Sequence, residues 1–181
     1  MSNITDFLRP SGGGGLKPKY QEFLTSGTFT PSQALIDAGG VINVFIVGGG
    51  ARGTNYGSTS GNGGEVLTEQ LTLLNTNTID VTIGAGATAQ NVSGGVSVFG
   101  LSLVTALGGE APNGNQSSRL SMGFSLVTGT SNSFYGAGVN GYGAGGGTAS
   151  YGVKIPKQNS GQGGNNSISG ANGYCLITWG E

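Results

Sequence analysis

Glycine supplies 39 of the 181 residues, and it arrives in clusters. The clusters read GGGARGTNYGSTSGNGG (residues 48–64), GTSNSFYGAGVNGYGAGGGTASYG (129–152) and SGQGGNNSISGANG (160–173). Average usage is about 7%, so this chain carries roughly three times the norm. Glycine loses more conformational freedom on folding than any other residue. A chain that orders so much of it must gain what side chains would prevent, namely close approach of one backbone to another.

The remainder of the sequence is strand-like. VINVFIV, TIDVTIG, SVFGLSLVTAL and YCLITW are rich in β-branched and aromatic residues and are cut apart by the glycine tracts. Hydrophobic residues make up 35% and charged residues 8%, which suits one modest core in one ordinary domain. Disordered chains tend to be charged and poor in such residues. The net charge of −1 gives no electrostatic case for nucleic acid or an anionic membrane. The start, MSNITDFLRPSGGGG, lacks the basic–apolar–small order of a secretory signal. No apolar run approaches the ~20 residues needed to cross a bilayer. The expectation is synthesis in a cytoplasm.

Residues 1–19 differ from the rest. Ile4, Phe7 and Leu8 precede Pro10, four glycines and Pro18, which reads either as a frayed terminus or as a docking arm with its linker. From Tyr20 the β signals begin, so residues 20–181 form the glycine-rich β domain. Tyr20, Phe23 and Phe29 frame a turn or hairpin. Residues 41–47 are almost continuously apolar and predict a central strand buried on both faces. Strands are also expected over 65–74, 78–83, 96–107 (one or two around Gly100), 122–128 and 174–179. Only residues 32–38 could form a helical turn. The glycine tracts are too long for tight turns, and a long structureless loop inside a compact domain counts against its own assignment. Packed threefold extended helices of the polyglycine II type are the alternative, joined side by side by N–H···O=C bonds. The expected fold is all-β: a jelly-roll-like β-sandwich with glycine-rich extended loops packed at one end.

Catalytic groups are scarce. Gly48, Gly50 and Gly53 satisfy G-x-G-x-x-G after a strand, but TNYGSTSGNGG follows and cannot open the helix that dinucleotide binding needs. There is no histidine for a triad or a histidine metal site. Cys175, the only cysteine, cannot build a thiolate zinc site and reads as a small buried hydrophobe. Glu65 and Glu69 could share a strand face as a glycosidase-like pair, against the commoner reading of exposed, solubilising strand carboxylates. The expectation is a non-enzymatic protein with no cofactor and no metal.

Recognition is better supplied. Arg52, Asn55, Tyr56, Asn62, Asn132, Tyr135, Asn140, Tyr142 and Tyr151 lie within the glycine tracts. Tyrosine gives rigid amphipathic contact, and small polar residues give adaptable hydrogen bonds, the mixture favoured in antibody binding loops. The same tyrosines could instead cap a glycine layer and shield its backbone from water.

LTSGTFT (24–30), VINVFIVGGGARG (41–53), GNGGEVLTEQLTL (61–73), DVTIGAGA (80–87) and GANGYCLITWGE (170–181), in that order, resemble the glycine-rich domain common in tail fibres and adhesins of tailed bacteriophages. The glycine runs here are shorter and more interrupted by Ser and Asn than in distal adhesins with stacked polyglycine layers. The resemblance implies a virion protein at a tail fibre or tail tip, assembled in the host cytoplasm. It implies attachment to a bacterial surface receptor, either a glycan or an outer-membrane protein. It further implies docking on other virion proteins through residues 1–19 and a homo-oligomer of trimeric symmetry. The alternative is a structural virion subunit, fibre-connecting or capsid-decorating, whose glycine loops touch sister chains.

Overall fold

The computed structural model describes residues 15–53, 61–111, 158–164 and 168–181. Among the described residues, eight strands form two antiparallel four-stranded sheets. The first holds β1 (Pro18–Phe23), β8 (Tyr174–Gly180), β3 (Val41–Val47) and β4 (Val66–Thr72), in that spatial order. The second holds β2 (Gly27–Phe29), β5 (Ile79–Thr82), β6 (Ser97–Phe99) and β7 (Val104–Ala106). The expected two-sheet all-β fold is therefore present.

Alternation builds one core between the sheets. Ile42, Val44 and Ile46 of β3 meet Cys175 and Ile177 of β8 on the first inner face. Phe29, Val81, Phe99, Val104 and Ala106 supply the second. Phe29 links the layers through edge contact with Trp179, ring centroids 5.3 Å apart, and lies 6.2 Å from Phe99. Cys175 is fully buried, and desolvation pushes its thiol up to about 12, so it is an inert hydrophobe as expected.

Several expectations need correction. β3 is central, but it is buried on one face only: Val41 is exposed, and Asn43 and Phe45 are half-buried. Residues 20–29 do not form a hairpin, because β1 pairs with β8 while β2 pairs with β5. The intervening turn carries the chain from one sheet to the other. Residues 96–107 do give two strands, with Gly100 (φ +68) in the turn between them. The helical turn is α1 (Gln33–Asp37). The Ser32 hydroxyl caps it by accepting from the Leu35 amide at 3.0 Å, and Leu35 anchors it in the core. β1 begins at Pro18, and Lys17 exchanges backbone hydrogen bonds with Glu181 of 2.8 and 3.1 Å, so the sheet starts slightly inside the segment read as a linker. The strand expected at 122–128 and the segment 1–14 lie outside the described residues.

Candidate functional site

Among the described residues, seven short segments pack together at one end of the sandwich. Segment 48–52 continues β3, 84–87 follows β5 and 107–109 follows β7; 61–65, 92–95 and 170–173 lead into β4, β6 and β8. Segment 161–164 is the seventh.

Segment 48–52 lies at the centre. The Gly48 amide donates to the Glu65 carbonyl and the Ala51 amide to that of Asn62, each at 2.9 Å. Three residues forward in one segment match three residues back in the other. The Gly49 amide donates to Gly95 at 2.8 Å and that of Arg52 to Val92 at 3.2 Å, with the same step. The Gly50 amide takes a third direction, to Ala171 at 2.8 Å. The carbonyls point the other three ways: Gly49 accepts from Gly109, Gly50 from Ala87, and Ala51 from Gly164. A period of three with no bond inside the segment is the geometry of an extended threefold helix. Every peptide group then points outward, so the central segment bonds to six neighbours.

Those six also bond to one another in a closed ring. Segment 61–65 bonds to 161–164 through Gly61 to Gly164 and Gly64 to Gly161, each at 2.8 Å. Around the ring follow Ala171 to Gln162, Gly173 to Gly84, Gly95 to Ala85, Gly94 to Gly109 and Glu65 to Leu107, all at 2.8 Å. Bare glycine is required at the centre. A Cβ on Gly48, Gly49 or Gly50 would run into the backbone carbonyls of Leu107, Ala85 and Gln162 respectively. The polyglycine II expectation thus holds for the described parts of tracts 48–64 and 160–173. Tract 129–152 lies outside the described residues.

Side chains seal the neck where lattice meets sandwich. The buried Ser97 hydroxyl accepts from the Gly84 amide at 2.8 Å and donates to the Val47 carbonyl at 2.7 Å, tying the two sheets together. Glu65 Oε2 accepts from the Leu107 amide at 2.9 Å, so this carboxylate closes a backbone gap. Asn172 Oδ1 accepts from the Gly86 amide at 2.8 Å.

Because residues 48, 65, 84, 95, 107 and 173 adjoin the strands, and Gly161 lies against Val47 and Gly48, the opposite segment ends form a distal face. The turn 88–91 lies there, beside the segment ends at residues 52, 62 and 164. Of the expected contact residues, Arg52 and Asn62 are described. Arg52 is half-buried, and its Nη1 donates to the Thr88 carbonyl, so it holds turn 88–91 in place. Asn62 needs correction: it is 6% exposed and belongs to the lattice rather than to a contact surface, because its segment is enclosed on several sides. Asn55, Tyr56, Asn132, Tyr135, Asn140, Tyr142 and Tyr151 lie outside the described residues. Sequence reasoning missed the run Thr88–Ala89–Gln90–Asn91–Val92–Ser93, all exposed. Its signal was available: a short polar stretch between GAGA and GG, where strand alternation stops.

Among the described residues no cluster of His, Cys, Asp or Glu could hold a metal, and no helix is long and apolar enough to cross a membrane.

A two-sheet β fold that ends in a backbone-bonded glycine lattice defines the class. The chain belongs to the glycine-rich domain family, whose match covers residues 24–180. No curated protein matches it.

Proposed function

We propose that this chain is the attachment module of a bacteriophage tail fibre or tail tip, recognising a bacterial surface receptor without catalysis. The observation that carries the reading is the closed lattice, which holds the exposed turn 88–91 at one end of the sandwich. Binding surfaces gain affinity when they are ordered before contact, and here the supporting main chain is hydrogen-bonded to neighbouring segments on all sides. Repetition on a symmetric fibre, a trimer for example, adds avidity without new contacts.

The opposite end suits assembly. Leu74 is 85% exposed and Leu101 98% exposed, at connections on the side of the sandwich away from the lattice, where residue 15 also lies. Exposed leucines there fit docking onto other virion proteins or sister copies, with residues 1–19 as the arm. The same leucines favour the second reading, a purely structural virion subunit.

Binding of the purified protein to a panel of bacterial hosts separates the two readings. An attachment module binds permissive cells saturably and competes with virions for adsorption. Failure to bind any permissive host leaves the structural subunit.

A further inference from the structure

We infer that the turn formed by residues 88–93 is a preformed binding site for a neutral, hydroxyl-rich glycan, an inference that rests on the attachment reading above. The turn joins two lattice segments at the distal face, and each of its residues is exposed. It is fixed from several directions. Arg52 Nη1 donates to the Thr88 carbonyl, and the Arg52 amide donates to the Val92 carbonyl at 3.2 Å. The Ser93 hydroxyl accepts from the Ala111 amide at 3.0 Å. Asn91 sits at φ +55, a left-handed conformation that asparagine tolerates better than most residues.

The chemistry of the turn selects the partner class. Thr88, Gln90 and Asn91 present a hydroxyl and two carboxamides, each able to donate and accept. No residue of the turn is charged, and the Arg52 guanidinium is half-buried and held against the Thr88 carbonyl, so an anionic polymer finds no charged side chain in the turn to pair with. A protein partner would call for buried aromatic or arginine anchors; Val92, 44% exposed, is the only large apolar side chain of the turn. Neutral sugar rings offer hydroxyls for the carboxamides and a small apolar face for Val92. A single such contact is weak, which suits a multivalent fibre.

The test compares the full chain with a Gln90→Ala/Asn91→Gly variant on permissive cells. Glycine accepts the positive φ at residue 91, so the variant keeps the turn while removing both carboxamides. Cells are used untreated, after periodate, which cleaves vicinal diols, and after protease. The expected result is about a tenfold loss of binding in the variant, as two hydrogen bonds at an exposed site imply, with loss on periodate-treated cells and retention on protease-treated cells. Equal binding by both proteins overturns the turn as the site while leaving attachment standing. Protease-sensitive, periodate-resistant binding overturns the glycan. No binding by the unaltered chain removes attachment and this inference together. A matching amide spectrum outside residues 88–93 shows that the variant has folded.

Discussion

Val47 is the last residue of β3, and Gly48 is the first of the lattice. On the Val47 side, the sheets meet through Ile46, Cys175, Phe99 and Val104, and stacked sheets of that kind stand about 10 Å apart. On the Gly48 side, the continuations of the same sheets touch main chain to main chain, with the Gly49 nitrogen 2.8 Å from the Gly95 oxygen. The sandwich excludes water by filling space with hydrocarbon. The lattice excludes it by removing side chains until peptide groups saturate one another. Strands running from one region into the other therefore carry glycine wherever a side chain would meet a neighbouring backbone, as at Gly48, Gly49 and Gly50, and give up much of their twofold pairing within a residue or two.

This contrast breaks most clearly under opposite one-carbon changes. Gly50→Ala adds one methyl to the central segment, where it would meet the Gln162 carbonyl and have only backbone to displace. The expected cost is about 3 kcal/mol or more, with hydrogen-exchange protection falling at Gly49, Ala51 and Gly95. Ile177→Val removes one methylene from the sandwich and should cost only about 0.5–1.5 kcal/mol. Chemical denaturation of both variants checks the ranking; equal costs would mean that the lattice is as compliant as a side-chain core.

Ser97 sharpens the comparison at the boundary. Ser97→Ala leaves the Gly84 amide and the Val47 carbonyl without this buried partner, at an expected cost of about 1–3 kcal/mol. Loss of protection should centre on the first lattice residues rather than on the middle of the core. Amide exchange at Gly84 reads this directly.

The smallest expected effect lies furthest from the lattice. Glu181 accepts from Ser32 and from Trp179 Nε1 (3.2 Å) and pairs with Lys19 Nζ at 3.4 Å. The Ser32 bond, then the Trp179 bond, holds its carboxyl below the usual carboxylate value. Such a group adds stability above its unfolded value, and that stability is lost as pH falls through the lower folded value. A melting-temperature profile from neutral to acid pH should therefore drop slightly more for the unaltered chain than for Glu181→Gln. Lys19, its ion-pair partner, is solvent-exposed, which keeps the difference small.

Much of the sandwich was legible in the residues. Period-two alternation marked β5 and β8, and Gly100 marked the turn between β6 and β7. What alternation could not reveal was partnership. Thr25, Ser26 and Gly27 look like hairpin residues, yet the strands on either side join different sheets, because β1 finds β8 some 150 positions away. The lattice was legible only where glycine is dense. Gly84, Gly94, Gly95 and Gly109 are too few to stand out as tracts, yet each closes part of the ring, and Gly108 lies too close to the Gly94 carbonyl to carry a side chain. Which short segments adjoin is decided by the strands that feed them, a long-range property. The candidate site divided the same way. Arg52 is conspicuous by its type, whereas residues 88–93 are each ordinary.

The ring of peptide hydrogen bonds also governs how the molecule responds to temperature. Unfolding a hydrocarbon core raises heat capacity, whereas exposing peptide groups lowers it. The sandwich owes its cohesion to a driving force that fades on cooling. The lattice, cemented by amide-to-carbonyl bonds, escapes that fading, so a surface mounted on it keeps its shape in cold water.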